Sequence, residues 1–312
     1  MRCTPLVAMA FVACVTAPAP AQPAKPTPPA RPEATSLLGV ALYPPDPLPN
    51  REKLEADYRV AVSVANPLTA EAMIWKGRRL AYLWRYQDAI DAFTRGIGRY
   101  PDDARFYRHR GHRYITVRRF DLAVADLEKA AALTAGRPDE VEPDGAPNAA
   151  GKPRSTLHFN VWYHLGLAYY LQGRFEKALD AYTQCLNVSD NDDSVVAVSD
   201  WMWMTLMRLG RKADAARILD RITPEMDVIE NQSYHRRLLM YKGLETPEAL
   251  LDVAGADATA IATQGYGVGN FHLVNGDATR ARQVFERVTA GAGWNAFGYI
   301  AAEAELARGR QR

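Results

Sequence analysis

The chain has 312 residues, of which 48% are hydrophobic and 24% are charged, and its formal net charge is +2. This length suits one large domain or two ordinary ones, and the composition is that of a soluble globular protein. Because the charge is close to neutral, we predict that neither nucleic acid nor an anionic membrane surface is a partner.

The first residues have the pattern of a bacterial export signal. Arg2 provides a positive start, residues 6–15 form an uncharged apolar run, and the small residues Ala-Pro-Ala end at Ala21, where a signal peptidase would cut. The apolar run is too short to cross a bilayer as a helix, which needs roughly 20 residues. We therefore predict a cleaved signal peptide over residues 1–21 and a periplasmic or secreted protein without a membrane span.

Cys14 leaves a second form of export open. Residues 11–14 resemble the box at which bacterial lipoproteins are acylated, although Phe11 stands where that box has an aliphatic residue. The chain is thus predicted either to be cleaved and released or to be a lipoprotein anchored through Cys14. In both cases Cys185 is the one cysteine of the mature sequence, so we predict no disulfide and a small buried side chain at that position.

Residues 22–49 are dense in proline, which blocks helices and central strands alike. We predict an extended, semi-rigid linker for this range. The apolar residues 37–43 interrupt the linker, and we expect them to dock on the first helices as a cap.

From residue 50 to residue 312 the sequence is repetitive, with a period of 34 residues that is clearest in 70–103, 104–137 and 159–192. Each of these units has glycine at its eighth position, an aromatic residue at its seventeenth and alanine at its twentieth. The period and the residue types resemble those of the tetratricopeptide repeat family.

Within each unit, apolar residues recur at spacings of three and four, which predicts two amphipathic helices. The glycine and the alanine fit the place where two helices cross closely. One such pair cannot bury its own apolar faces, so neighbouring pairs must stack. We therefore predict an all-α chain, and the resemblance implies a right-handed superhelical solenoid of stacked antiparallel helix pairs.

Weaker copies of the pattern follow in 196–227, 229–261 and 262–293, and a terminal helix with a solvent-facing end is predicted over 296–308. Upstream, residues 51–65 resemble the second helix of a truncated leading unit. An insertion rich in proline, glycine and acidic residues breaks the period over 136–156, and we predict a flexible loop there at the mouth of a groove. Its acidic residues lack the spacing of a calcium-binding loop, so we predict no metal.

The resemblance implies that the first helix of each unit lines a concave groove that binds a protein or a peptide. The groove-facing positions of this sequence are Arg78, Arg105, Arg108, His112, Asn160, Tyr163, Tyr170, Asp200 and Arg237. Arginine and aromatic side chains are enriched in protein interfaces. Arg105 and Arg108 are expected to hold a carboxylate together through charge-assisted hydrogen bonds.

We predict no catalytic residue, no cofactor and no metal site. His109 and His112 have a spacing that can ligate zinc, but no cysteine lies nearby to complete a site, so we interpret them as ordinary surface histidines. The predicted function is a non-catalytic scaffold that binds a protein or peptide. The alternative is a carbohydrate- or cell-wall-associated binding module within an envelope assembly complex, because aromatic side chains stack on sugars as readily as on peptides.

Overall fold

The computed structural model describes residues 31–143, 148, 150–252 and 257–310, and all of these except Arg31 belong to one compact unit that begins at Pro32. The predicted signal peptide, the anchor at Cys14 and the linker up to residue 30 lie outside the described residues, as does part of the insertion. No helix in the described ranges has the length and the apolar character that a membrane span requires.

Apart from one short hairpin, the regular structure of the described ranges is helical, as predicted. The helices are α1 (Arg51–Val62), α2 (Ala70–Tyr82), α3 (Tyr86–Arg99), α4 (Ala104–Thr116), α5 (Phe120–Thr134), α6 (Leu157–Leu171), α7 (Phe175–Asn187), α8 (Asp192–Arg208), α9 (Lys212–Leu219), α10 (Gln232–Tyr241), α11 (Pro247–Leu251), α12 (Ala258–Val274), α13 (Ala278–Thr289) and α14 (Phe297–Arg310). The hairpin consists of β1 (Ala34–Thr35) and β2 (Ala41–Leu42), which are antiparallel.

Helices α2 to α13 form six consecutive pairs, which we number one to six from α2–α3 to α12–α13. The two helices of each pair contact each other, and the first helices of successive pairs also touch, from α2 against α4 to α12 against α14. This is the predicted stack of antiparallel helix pairs. The first helices form the inner side of the stack, which we call the concave face.

The glycine of the repeat allows the two helices of a pair to approach closely. A Cβ atom added at Gly77 would lie 2.4 Å from the ring of Phe93, and one at Gly166 would lie 2.5 Å from the ring of Tyr182. Both distances are far inside van der Waals contact, so a larger residue would push the helices apart. The predicted role of the repeat glycine is therefore confirmed.

Each pair turns through one residue with positive φ, a conformation that glycine adopts without strain. Pairs three to six place glycine there: Gly173, Gly210, Gly243 and Gly276. Pairs one and two place Trp84 (φ 59°) and Arg118 (φ 63°) there instead. A side chain in this conformation costs roughly 1–2 kcal/mol, so these two turns store strain that the other four avoid.

The segment from Glu33 onward is packed against the helices. The carboxylate of Glu33 accepts a hydrogen bond of 3.0 Å from the backbone N–H of Gln87, in the first turn of α3. The indole N–H of Trp294 donates to the backbone carbonyl of Tyr43 over 2.6 Å, and Leu42 is buried. The expected extended linker therefore has to be corrected from residue 33 onward, because its apolar residues form a cap that bridges the first pair and the C-terminal segment.

Helix α14 packs on the concave face. Its Glu303 accepts two hydrogen bonds of 2.9 Å from the guanidinium of Arg118, and both side chains are buried. At its start, the ring of Phe297 lies 5.2 Å from that of His112 and 5.6 Å from that of His164. The predicted terminal helix is present, but most of it is buried, because the stack curves until its last helix meets pairs two and three.

Candidate functional site

All nine predicted groove residues lie on first helices, but most of them do not form an open surface. Arg78, Arg105 and His112 are half-buried, and the six buried ones are Arg108, Asn160, Tyr163, Tyr170, Asp200 and Arg237. The expectation of an open groove at these positions is therefore corrected. The physical reason is that α12 and α14 pack on the concave face and cover its centre.

The deepest of these residues form an internal ion pair. A carboxylate oxygen of Asp200, on α8, lies 2.9 Å from Nη2 of Arg237, on α10, and both side chains are fully buried. Burial raises the pKa of Asp200 to about 7, against the opposing effect of the Arg237 charge. Arg237 also donates to the backbone carbonyl of Thr263, on α12, over 3.1 Å. These groups hold three helices together and are closed to a partner.

The two predicted groove tyrosines are engaged inside the stack as well. The indole N–H of Trp201 donates to the hydroxyl of Tyr163 over 2.8 Å. The hydroxyls of Tyr170 and Tyr266 are 2.7 Å apart, which joins α6 to α12. Such buried hydrogen bonds fix the relative positions of helices. These rings therefore belong to the core of the concave face.

Arg105 and Arg108 do not share a carboxylate, contrary to the expectation from their spacing. Arg105 is half-exposed and donates to Asp103 over 2.6 Å and to Glu71 over 3.1 Å. The Nε of Arg108 lies 3.0 Å from Oε2 of Glu142, which comes from the insertion. One turn of α4 separates the two arginines along the helix, and they face different groups.

A small cavity remains at the N-terminal end of the concave face, between α2, α4 and the insertion. We call it the Arg108 pocket. Its volume is about 140 Å³, and it is lined by Arg78, Ala81, Tyr82, Phe93, Arg108, His109, His112, Arg113 and Glu142. Three of the predicted residues, Arg78, Arg108 and His112, therefore meet here, together with a second histidine, a third arginine and a carboxylate.

The Arg108 pocket binds a piece of the chain itself. Glu142 is almost buried, and its Oε2 accepts from Nδ2 of Asn160 over 3.2 Å besides facing Arg108. The next residue, Pro143, accepts a hydrogen bond of 2.7 Å at its backbone carbonyl from Nη2 of Arg78. A carboxylate and the carbonyl beside it are thus held by two arginines and an amide, which is charge-assisted recognition of an acidic segment.

Positive charge exceeds negative charge in this pocket. Arg78, Arg108 and Arg113 line it against the single carboxylate of Glu142. Arg113 lies over the ring of Tyr86 at 5.5 Å, and no carboxylate of the described ranges forms an ion pair with it. Burial and the neighbouring Arg108 lower the pKa of Arg113 to about 10, so it stays charged at neutral pH. The pocket can therefore hold an oxyanion.

The histidines of the pocket are neutral at pH 7. Burial, together with the charges of nearby arginines, lowers the pKa values of His109 and His112 well below the usual 6.5. Within the described residues, no three His, Cys, Asp or Glu side chains are placed to share a metal ion. His109 is buried and His112 is half-buried, so neither is the exposed surface histidine that was expected, because α4 lies between α2 and α6.

The comparisons with known proteins agree with the helix pairs. The tetratricopeptide repeat model matches residues 159–192, and a second model with that description matches residues 76–140. Residues 76–140 and 159–192 of the chain are therefore tetratricopeptide repeats. Small glutamine-rich tetratricopeptide repeat-containing protein 2 of Saccharomyces cerevisiae is 24% identical over 156 residues, which are 50% of this chain. The match spans 38% of that relative.

Solved structures of tetratricopeptide-repeat proteins are also similar. One from Parabacteroides merdae is 18% identical, with a TM-score of 0.47, and the match covers 83% of this chain and 91% of that one. YrrB, described as having an unusual peptide-binding site, is 13% identical, with a TM-score of 0.41, over 81% of this chain and 97% of its own.

Two residues of the Arg108 pocket were missed in the sequence analysis. Arg113 lies outside the positions that the family uses for its groove, and Glu142 belongs to the insertion. A signal for both exists in the charge pattern. Helix α4 carries four arginines and no acidic residue, whereas the insertion brings Asp139, Glu140 and Glu142 soon afterwards. Complementary charges on neighbouring segments indicate a contact.

Proposed function

We propose that this protein is an exported, non-catalytic scaffold that binds a protein partner at the Arg108 pocket. Tetratricopeptide repeats form protein-binding scaffolds, which supports the general function. The observation that carries the location is the surplus of guanidinium groups around one carboxylate in a cavity at the end of the concave face. Buried arginines of this kind are the residues that dominate binding energy in many interfaces.

The rest of the concave face is closed to a partner, which favours the Arg108 pocket as the binding site. Its centre is closed by the Asp200–Arg237 pair and by the Tyr170–Tyr266 contact. The Arg108 pocket, in contrast, lies where the half-buried Arg78 and His112 still reach its rim. The carbohydrate alternative would need exposed rings along the groove, and no ring of the predicted groove set supplies one, so we do not propose it.

Photo-crosslinking in the envelope of the source cell tests the proposed location. A crosslinking residue replaces Arg78 at the pocket rim, and the matched control carries it at Arg105, which does not line the pocket and pairs with Asp103 and Glu71 instead. We expect a discrete crosslinked partner at position 78 that is lost when Arg113→Gln is added. Equal crosslinking from both positions, or indifference to Arg113→Gln, would show that the partner binds elsewhere.

Export rests on the pattern in residues 1–21 and has a test of its own. The intact mass of protein recovered from a bacterial envelope fraction distinguishes cleavage after Ala21 from acylation at Cys14. We expect one of these two masses. A chain that retains Met1 and stays with the cytoplasmic fraction would contradict export.

A further inference from the structure

The segment that enters the Arg108 pocket is an extended strand. Val141 forms an isolated antiparallel bridge with Thr156, and the backbone N–H of Leu157 donates to the carbonyl of Glu140 over 2.8 Å. The N–H of Glu142 donates to the carbonyl of Ser155 over 3.0 Å. These partners belong to the returning half of the insertion and to the first residue of α6. The strand is also held at the start of α6 by the backbone N–H of His158, which donates to the carboxylate of Asp139 over 2.9 Å. Its contacts with α2 and α4 are those of Glu142 and Pro143 in the pocket.

The contact between this strand and the pocket is narrow. Val141 is 62% exposed, and Glu140 is exposed as well. The side chain of Glu142 is only 11% exposed and is the described insertion residue that lines the cavity. A strand that buries one acidic side chain and keeps its neighbours in solvent has the geometry of a bound peptide rather than of a core element.

We infer that residues 139–143 occupy the Arg108 pocket as an internal ligand, and that the partner presents an acidic extended segment whose carboxylate takes the place of Glu142. This inference rests on the proposed function, because it names the partner class and the regulation of the same site. The chemistry recognised is a carboxylate followed by a backbone carbonyl, as Arg108, Asn160 and Arg78 now bind them.

Replacement of Glu142 by the carboxylate of a partner is electrostatically more favourable than departure of Glu142 alone. If Glu142 left without a replacement, Arg108 would remain buried and unpaired, which is strongly unfavourable. A second carboxylate that enters as Glu142 leaves avoids that penalty, and Arg113 offers an additional cation to it. The tether of the insertion gives Glu142 an effective concentration in about the millimolar range, so it competes strongly with a free peptide.

A peptide made from the chain itself tests the inference. The probe is the fluorescently labelled hexapeptide Pro-Asp-Glu-Val-Glu-Pro, which copies residues 138–143 with blocked ends. Its binding to the full chain is measured by fluorescence anisotropy for the wild type, for Glu142→Gln and for Glu140→Gln. Glu140→Gln is the matched control, because it removes an equal charge two residues away from the cavity.

We expect the probe to bind Glu142→Gln at least about tenfold more tightly than the wild type, since the competing internal ligand is weakened. Glu140→Gln should behave like the wild type. A hexapeptide with glutamine in place of its second glutamate should bind none of the three proteins. Equal affinity for all three proteins, or for both peptides, would overturn the inference.

A second variant covers the case in which Glu142→Gln does not fold. It replaces residues 138–143 by six glycine and serine residues, and its helical circular dichroism spectrum is checked first. This folded variant should bind the probe with an affinity that falls as salt rises. If it does not bind the probe while crosslinking at position 78 still depends on Arg113, the internal-ligand inference is wrong and the scaffold proposal stands. If the variant does not bind the probe and crosslinking at position 78 does not depend on Arg113, both the internal-ligand inference and the scaffold proposal are wrong.

Discussion

The turns of pairs three to six differ from those of pairs one and two. In the later pairs glycine takes the residue with positive φ, and a methyl group added at Gly210 or Gly243 would meet no described atom within 4 Å. At these two positions the turn only reverses the chain, whereas beside the turn of pair three Arg308 of α14 donates to the backbone carbonyl of Leu171 over 2.9 Å. In the first two pairs, Trp84 and Arg118 adopt the same backbone conformation with large side chains.

The two strained side chains have a common target. The ring of Trp84 meets that of Trp294 edge to face at 5.1 Å, and Arg118 pairs with Glu303. Arg118 also donates to the backbone carbonyl of Trp294 over 2.8 Å. Both turns therefore contact the C-terminal segment that closes the concave face. Among the six pair turns, the two that place a non-glycine residue at positive φ therefore both make a second, long-range contact with the C-terminal segment.

The Arg118 contact gives the largest expected effect. We expect Arg118→Ala to lower the free energy of unfolding by about 3–5 kcal/mol, because Glu303 would stay fully buried without its cation. Urea denaturation followed by circular dichroism measures this. Arg282→Ala is the matched control, since its pair with Glu286 is exposed, and it should change stability by less than about 1 kcal/mol.

Two substitutions at Arg118 distinguish the cost of the strained backbone from the loss of the ion pair. Arg118→Gly loses the ion pair as Arg118→Ala does, but it relieves the positive φ. We therefore expect the glycine variant to be more stable than the alanine variant by roughly 1 kcal/mol, in the reverse of the usual order for these residues. If alanine were the more stable of the two, the strain at this turn would not exist.

At a turn that already has glycine, we expect replacement of the glycine by alanine to lower the free energy of unfolding. Gly210→Ala places a side chain at φ 73° without a new contact, so we expect a loss of about 1–2 kcal/mol. The control is Gly98→Ala, an exposed position near the end of α3 with ordinary φ, which should gain roughly 0.5–1 kcal/mol. Losses of equal size at both positions would mean that the turn conformation is not the cause.

The local pattern of the sequence was enough to predict the helix pairs. The spacing from Gly77 to Phe93 recurs as Gly166 to Tyr182, and both glycines lie against those rings in the structure. Such a pattern reports on neighbours within one unit or the next. The closure of the concave face depends on contacts such as Arg118 with Glu303, which are 185 residues apart, and no periodicity reports on these. A signal for this contact was nevertheless present in the sequence, because Arg118 stands at a turn position where later pairs have glycine.

The candidate site was harder to predict from the sequence than the fold was. Arg78 and Arg108 were found, because the repeat fixes which face of α2 and α4 points inward. Tyr170 and Asp200 were assigned to the same open groove, although the curvature of the stack buries them beneath α12 and α14. Curvature accumulates from small rotations between successive pairs, and these rotations depend on packing details that residue types alone do not specify.

A further expected effect concerns the pH dependence of the free energy of unfolding, which His112 influences. Its ring contacts those of His164 on α6 and Phe297 on α14, and the charges that face it are Arg108 and Arg113 on its own helix. Burial, followed by these charges, lowers the pKa of His112 well below 6.5. Below pH 6.5 the unfolded chain therefore binds a proton that the folded chain does not, so stability is lost as pH falls.

His112→Gln should remove this part of the pH dependence. Between pH 6.5 and 5 we expect the unfolding free energy of the wild type to fall more steeply than that of the variant, by up to about 1.4 kcal/mol per pH unit. Asp200, whose pKa burial raises to about 7, acts in the opposite sense in both proteins, so the difference between them isolates the histidine. Between pH 7 and 9 the two slopes should coincide. Parallel curves over the whole range from pH 5 to 9 would mean that the packing of Phe297 and α14 against the half-buried His112 does not lower its pKa.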